Sequence, residues 1–182
     1  MEEKLHSLQK LREDLLADRK PDRGSAIDAL DWAIGRLKPG GSSDPKGAVL
    51  FADGGARGNP GPAAYGLILY DAEGNELLRR ARCIGRTTGN VAEYRAVIAG
   101  LELAGRLGIG ELDVYLDSQL VVRQLTGEYR TKNAELVRLK KRATALIGGF
   151  LSVRFHHIPR GKNRLADSLV NAALDGRDPD AP

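Results

Sequence analysis

The sequence predicts an α/β domain built on a mixed sheet, on three observations. Three strand-like runs follow one another through tight connections, later strands are separated by helical segments, and two of the most apolar runs end in aspartate. Strands separated by helices must run parallel, whereas tightly joined ones run antiparallel, so the sheet is mixed. Residues 47–53 and 63–71 are apolar runs suited to buried strands, and residues 76–84 alternate loosely as a third. Ala72-Glu73-Gly74-Asn75 reads as the hairpin turn between the last two. Residues 91–107 carry a helical pattern that ends at Gly108. A strand is then expected over 112–116, a short helix over 118–125 and a longer one over 133–147, closed by Gly148-Gly149. A last strand at 151–156 and a last helix at 163–174 complete the domain, which spans residues 47–174.

Residues 1–38 read as a helical hairpin. Leu5, Leu8, Leu11 and Leu15 form one apolar stripe, and Ile27, Leu30, Ala33, Ile34 and Leu37 form a second beyond the break at Lys20-Pro21-Asp22-Arg23-Gly24. Ser25 is a plausible N-cap for the second helix. Short amphipathic helices must bury their stripes, against either the main domain or a second copy of the chain. Residues 39–46 have the Pro, Gly and Ser content of a linker, and residues 175–182 are a polar, proline-containing flexible tail.

The bulk numbers exclude several classes. Of 182 residues 42% are hydrophobic and 29% charged, which is globular composition. The chain shows no signal-peptide pattern and no apolar block long enough to span a membrane, so a cytoplasmic protein is expected. The single Cys83 excludes an intramolecular disulfide framework and a thiolate metal cluster. Net charge is +4, and it is uneven: residues 1–46 balance nine Lys/Arg against nine Asp/Glu, whereas residues 47–174 hold eighteen against twelve. A basic central domain is the pattern of a nucleic-acid binder, though many mildly basic proteins bind none.

Within that basic domain, four carboxylates stand out. Asp53 follows the apolar run Ala48-Val49-Leu50-Phe51-Ala52 and precedes Gly54-Gly55. Asp117 repeats the arrangement after Val114-Tyr115-Leu116; read alone, it fits the N-cap of the following helix slightly better than a functional site. Two buried strands ending in aspartate bring like charges together if they are neighbours, and such a pair needs a cation or a proton. Glu93 fits a capping box, with Asn90 as N-cap and Glu93 at the third helical position. Asp167 lies at the border of the buried arc marked by Leu165, Ala166, Leu169 and Val170, with Asn163 and Asn171 one turn away on either side. Four oxygen ligands without cysteine suit a hard divalent cation such as Mg²⁺ or Mn²⁺, and two such ions can drive phosphodiester cleavage.

These residues resemble the motifs of the type 1 ribonuclease H family. Phe51 through Gly66 is similar to its first-strand motif and loop, and Thr87 through Tyr94 to the start of its first helix. Asp117-Ser118-Gln119 resembles the third motif, and His157-Ile158-Pro159-Arg160 through Asn163 to Asp167 the last. The resemblance covers roughly residues 47–174 and implies a five-stranded sheet in the order 3-2-1-4-5 flanked by helices. It also implies hydrolysis of the RNA strand of RNA–DNA hybrids, giving 5′-phosphate and 3′-hydroxyl ends. By the same match Asp53, Glu93, Asp117 and Asp167 coordinate two Mg²⁺ or Mn²⁺ ions when substrate is bound. His157 matches the family's mobile histidine, which assists proton transfer or product release; Arg160 is the alternative for that task. The Arg-containing last motif is similar to a shorter archaeal and bacterial subgroup, some members of which also act on double-stranded RNA.

The resemblance assigns substrate contacts as well. Gly54, Gly55, Arg57 and Asn59 are expected to form a compact turn whose backbone N–H groups meet phosphate or sugar. Thr88, Asn90, Gln119, Arg160 and Asn163 complete the expected substrate-binding set, the first three at the minor groove where 2′-hydroxyls mark RNA. Gly89 stands where many members have asparagine. The stretch from Asp117 to His157 is too short for the basic handle helix of some members, and Arg130, Lys132, Arg138, Lys140, Lys141 and Arg142 are candidate substitutes. Two other readings remain open at this point. One is a nuclease of the same fold acting mainly on double-stranded RNA; the other is a non-catalytic nucleic-acid-binding module. The second is disfavoured because gathering negative charge where a polyanion docks makes little electrostatic sense without cations.

Overall fold

The computed structural model describes residues 46–176, and the expected N-terminal hairpin, residues 39–45 of the linker and residues 177–182 of the tail lie outside them. The chain order is β1 (Lys46–Ala56), β2 (Gly61–Asp71), β3 (Glu76–Thr87), α1 (Gly89–Arg106), β4 (Ile109–Leu116), α2 (Gln119–Leu125), α3 (Ala134–Ile147), β5 (Ser152–His157), one 3-10 turn (Arg160–Lys162) and α4 (Arg164–Leu174). The strands form one sheet in the order β3-β2-β1-β4-β5, as the family resemblance implies. β1, β2 and β3 pair antiparallel, and β4 and β5 join parallel to β1.

Alternation along the strands sends side chains to two faces. Leu50, Leu67, Leu69, Leu112 and Val114 point into the main core, where α1, α2 and α3 contribute Tyr94, Val97, Leu101, Val121 and Leu136. Each fully buried leucine here contributes roughly 2 kcal/mol of hydrophobic stabilisation. The opposite face of β2 carries Ala64 and Ile68, which pack under Ala166, Leu169, Val170 and Ala173 of α4. β2 is therefore covered on both sides, which explains its unbroken burial from Ala63 to Leu69. Gly66 permits the close approach of α4: a Cβ there would lie 2.6 Å from the Ala166 carbonyl oxygen.

Several elements run further than their own residues suggest. β1 continues past Asp53 because Gly54, Gly55 and Ala56 still pair with Tyr65, Ala64 and Ala63. β3 reaches Thr87 because its pairing with β2 persists to Gly61 through an irregularity in register. Strand partners, rather than local apolarity, set these ends. Asp175, assigned by composition to the tail, closes α4 as its C-cap and accepts a 2.5 Å bond from Arg57 Nη2. None of the helices among the described residues is long and apolar enough to cross a membrane.

Candidate active site

At the carboxyl end of the parallel strands the sheet splits. Pairing of β1 with β4 ends at Phe51 and Tyr115, while pairing of β1 with β2 runs on to Ala56 and Ala63. Asp53 thus stands inside β1, not at its end as the sequence suggests, and faces the opening. Its Oδ1 accepts from the following Gly54 amide at 2.8 Å.

Helix α1 delivers Glu93 to the same place. The capping box expected from Asn90 and Glu93 does not form. Thr88 is the N-cap, its hydroxyl accepting from the Val91 amide at 3.4 Å, so the helix starts earlier and Glu93 falls in its second turn. Glu93 is then free of cap duty, and its Oε2 accepts from Ser118 Oγ at 2.5 Å. Gly54 lets α1 sit this low on β1, because a Cβ at Gly54 would lie 2.1 Å from the Ala92 carbonyl carbon and 2.3 Å from the Glu93 nitrogen.

Asp117 follows β4 directly, but it is not the cap of α2; Ser118 is, accepting from the Val121 amide at 3.4 Å. Asp117 Oδ1 instead accepts from Asn163 Nδ2 at 3.2 Å. The same nitrogen donates to the Ala52 carbonyl at 3.0 Å, and Asn163 is 1% exposed. One buried amide thus fastens the end of β4 to β1 just before α4 begins. Asp167, in the first turn of α4, accepts from Arg160 Nη2 at 2.8 Å and from Asn171 Nδ2 at 3.1 Å.

Asp53, Glu93, Asp117 and Asp167 line one cleft of about 420 Å³, together with Arg57, Arg160 and Asn171. Burial is the main cause that raises the Asp53 carboxyl to about 6, with the charges of Asp117 and Asp167 adding to it; the Gly54 amide and Arg160 work the other way. Burial likewise raises Glu93 to about 7, against the Ser118 hydrogen bond and with help from Asp53 and Asp117. The guanidinium of Arg160 is held further in its charged form by Asp167. Among the described residues no three His, Cys, Asp or Glu side chains converge tightly enough to form a ready-made ion cage. The donor set nevertheless fits a hard divalent cation, since carboxylates crowded against burial and one another gain most from a counter-charge.

The remaining expected residues divide. The compact glycine turn is not formed: Gly54 and Gly55 are paired within β1, and the turn proper is Arg57 to Pro60. The Arg57 amide is also engaged, donating to the Pro62 carbonyl at 2.8 Å. Gly54, Gly55 and Arg57 still line the cleft, whereas Asn59 is exposed on the turn. Asn90 and Gln119 are exposed in the first turns of α1 and α2, next to the Thr88 and Ser118 caps. His157 is exposed at the end of β5, in register with Leu116, and is not among the residues lining the cleft. Arg160 is. Two partners were not singled out from sequence as site residues, Ser118 and Asn171. Each was within reach, since one lies inside the third motif and the other one turn beyond Asp167.

An acidic cleft at the split of a mixed sheet in this order defines a ribonuclease H-like fold. The family described as "Reverse transcriptase-like" matches residues 51–173. Bifunctional protein Rv2228c of Mycobacterium tuberculosis is 45% identical over 128 residues, covering 70% of this chain and 35% of that protein. The chain therefore spans about a third of the length of that relative. Ribonuclease HI of Halobacterium salinarum is 39% identical over 162 residues, covering 89% of this chain and 71% of that protein. The crystal structure of LC11-RNase H1 in complex with an RNA/DNA hybrid superposes with a TM-score of 0.68 at 41% identity, covering 71% of this chain and 97% of that one. The chain belongs to the ribonuclease HI family. Use of a divalent metal is typical of that family.

Proposed function

We propose that this chain is an endonuclease that hydrolyses the RNA strand of RNA–DNA hybrids. The observation that carries the reading is the cleft itself, in which β1, α1, the end of β4 and α4 each contribute one carboxylate. Family membership supports it, as does the hybrid bound in the LC11-RNase H1 structure.

In this reading Asp53, Glu93, Asp117 and Asp167 would hold two Mg²⁺ or Mn²⁺ ions. Such ions supply neutralisation of the phosphate and hydroxide at neutral pH. The protein's own part is to fix the ligands in advance. Asn163 holds Asp117, Arg160 and Asn171 hold Asp167, Ser118 holds Glu93, and the Gly54 amide holds Asp53. A water would add to phosphorus and give up its proton as the bond to the 3′-oxygen breaks, and that oxygen would take up a proton. The products are 5′-phosphate and 3′-hydroxyl ends. His157, exposed at the end of β5, is assigned to proton transfer or product release, and Arg160 to phosphate contact inside the cleft.

Substrate contacts follow from position. Gly54, Gly55, Arg57 and Asn59 flank one side of the opening. Thr88, Asn90 and Gln119 occupy the N-terminal ends of α1 and α2, where amide groups and polar side chains suit phosphate and 2′-hydroxyl recognition. Asn163 acts from below through Asp117.

The test is cleavage of one labelled sequence presented as RNA–DNA hybrid, double-stranded RNA, single-stranded RNA and double-stranded DNA, with Mg²⁺ or Mn²⁺. The expected result is metal-dependent cutting of the hybrid's RNA strand alone, abolished by Asp53→Asn. Equal or better cutting of double-stranded RNA would make the protein a broader duplex nuclease. Tight binding without cutting under either metal would make it a binding module.

A further inference from the structure

Helix α4 carries a polar spine that runs past the cleft. Asn163, Asp167, Asn171 and Asp175 recur every four residues from its N-cap to its C-cap, so neighbours in the series share a face. Three of them serve groups at the cleft: Asn163 bonds Asp117, Asn171 bonds Asp167, and Asp167 bonds Arg160. The fourth reaches across to the turn after β1, where Asp175 Oδ1 accepts from Arg57 Nη2 at 2.5 Å. The backbone of that turn is closed by its own contacts. The Arg57 amide donates to the Pro62 carbonyl at 2.8 Å, and a Cβ at Gly61 would lie 1.9 Å from the Arg57 carbonyl oxygen. Only the long, exposed side chain of Arg57 is left to be directed.

We propose that Asp175 is a positioning residue for Arg57, presenting its guanidinium at the cleft to a phosphate of the bound strand; this rests on the hybrid-cleaving reading above. Two features of Asp175 are unfavourable unless it holds a cation. It puts a carboxylate at the C-terminal end of α4, where the helix dipole disfavours negative charge. It also adds negative charge beside a cleft that must admit a polyanion. Exposed ion pairs stabilise a fold little, so stability does not account for the pair. Arg57 lines the cleft, and a guanidinium with one N–H engaged keeps further donors for a phosphate. A planar fork held at one corner also loses less freedom on making that contact. Arg160 is held in the same manner by Asp167, eight positions earlier on the spine. The two anchoring carboxylates stand about 12 Å apart along the helix, too far for one phosphate to join both arginines while each keeps its pair. Arg57 therefore meets a phosphate other than the one at Arg160.

Charge alone and positioning predict opposite outcomes for Asp175→Asn in the full-length chain. Removing a negative charge beside the cleft should, by charge alone, tighten binding of the hybrid. Loss of positioning should instead raise KM about three- to tenfold while kcat stays within about twofold, because a contact away from the scissile phosphate contributes to binding alone. Arg57→Gln should match it, the double variant should be no worse than either, and Asp175→Glu should recover most of the loss. Fluorescence anisotropy of a labelled hybrid, with Mg²⁺ and in an Asp53→Asn background, reads binding without cleavage. There the slope of log affinity against log salt should become shallower by about one in both Arg57→Gln and Asp175→Asn. An unchanged KM in Asp175→Asn, a loss confined to kcat, or additive effects of the two substitutions would overturn the proposal. A lowered KM would equally overturn it, showing that Asp175 withholds Arg57 from substrate. If the parent cuts no hybrid the functional reading fails, and the anisotropy arm still decides whether Asp175 positions Arg57.

Discussion

Asn163 holds Asp117: its buried Nδ2 donates to Asp117 Oδ1 at 3.2 Å while also satisfying the Ala52 carbonyl at 3.0 Å. A single side chain thus links Asp117 to the strand segment that carries Asp53, because Ala52 immediately precedes Asp53. The residue contributes both to stability and to the shape of the cleft.

Asn163→Ala should therefore lower stability by about 2 kcal/mol, since it strands a buried carbonyl and opens a small void. Denaturant melts compared with the parent check this. A midpoint indistinguishable from the parent would show that the bridge carries no load in solution.

Gly54 and Gly89 make a matched pair of tests. Gly54→Ala places a methyl group against the Ala92–Glu93 peptide, with contacts of 2.1 to 2.3 Å to backbone atoms. Helix α1 must shift, so a loss of 1–3 kcal/mol, order of magnitude, is expected together with at least tenfold lower cleavage as Glu93 moves. A Cβ at Gly89 meets nothing within 4 Å, so Gly89→Ala should be neutral or slightly stabilising. Equal effects at the two positions would contradict the close approach.

Metal-free stability should depend on pH with a definite sign. Asp53 and Glu93 have folded pKa values raised to about 6 and about 7, above the ordinary 3.8 and 4.5. A raised carboxyl favours the folded state below its unfolded pKa, and that favour is lost as pH rises through the folded value. The metal-free protein should thus lose stability between about pH 4 and pH 7, on the order of 2 kcal/mol for each group. Mg²⁺ or Mn²⁺ should restore more at pH 8 than at pH 5, and Asp53→Asn should raise the metal-free melting temperature at pH 8. Melting curves in chelator and in metal at both pH values give the answer; a metal-free curve flat across this range would refute it.

Ser118 tunes Glu93. Its hydroxyl hydrogen bond opposes the effect of burial, so Ser118→Ala should push the Glu93 carboxyl further up. The acid limb of the cleavage rate against pH should move to higher pH, while cleavage at pH 9 changes little. Helix α2 loses a cap in the same variant, at about 1 kcal/mol. A uniform loss of rate at every pH would point to the cap alone.

Much of the site was legible because its residues sit in recognisable local settings. Asp53 and Asp117 announce themselves as charges closing apolar runs, and α4 shows Asp167 at the border of its buried arc. The hairpin turn at residues 72–75 was equally local, since it is written in a few consecutive side chains. For Glu93 local chemistry offered a competing cap role, and it was the ordered motifs of the family resemblance that put it with the other carboxylates. A capping box explains it on paper, and only the packing of α1 against Gly54 moves the helix start to Thr88.

By itself, the sequence determined the fold class, the ordered motifs and which residue types could meet a divalent cation, because apolar period and turn chemistry act over a few neighbours. The tertiary structure decided where β1 parts from β4, that Asn163 spans the gap, and that burial rather than charge repulsion is the main cause raising Asp53 and Glu93. It alone showed an aromatic row, Phe51, Tyr115 and His156, across β1, β4 and β5. Each of these depends on the register of strands far apart in the chain, which fixes the faces that side chains share and which no local pattern specifies.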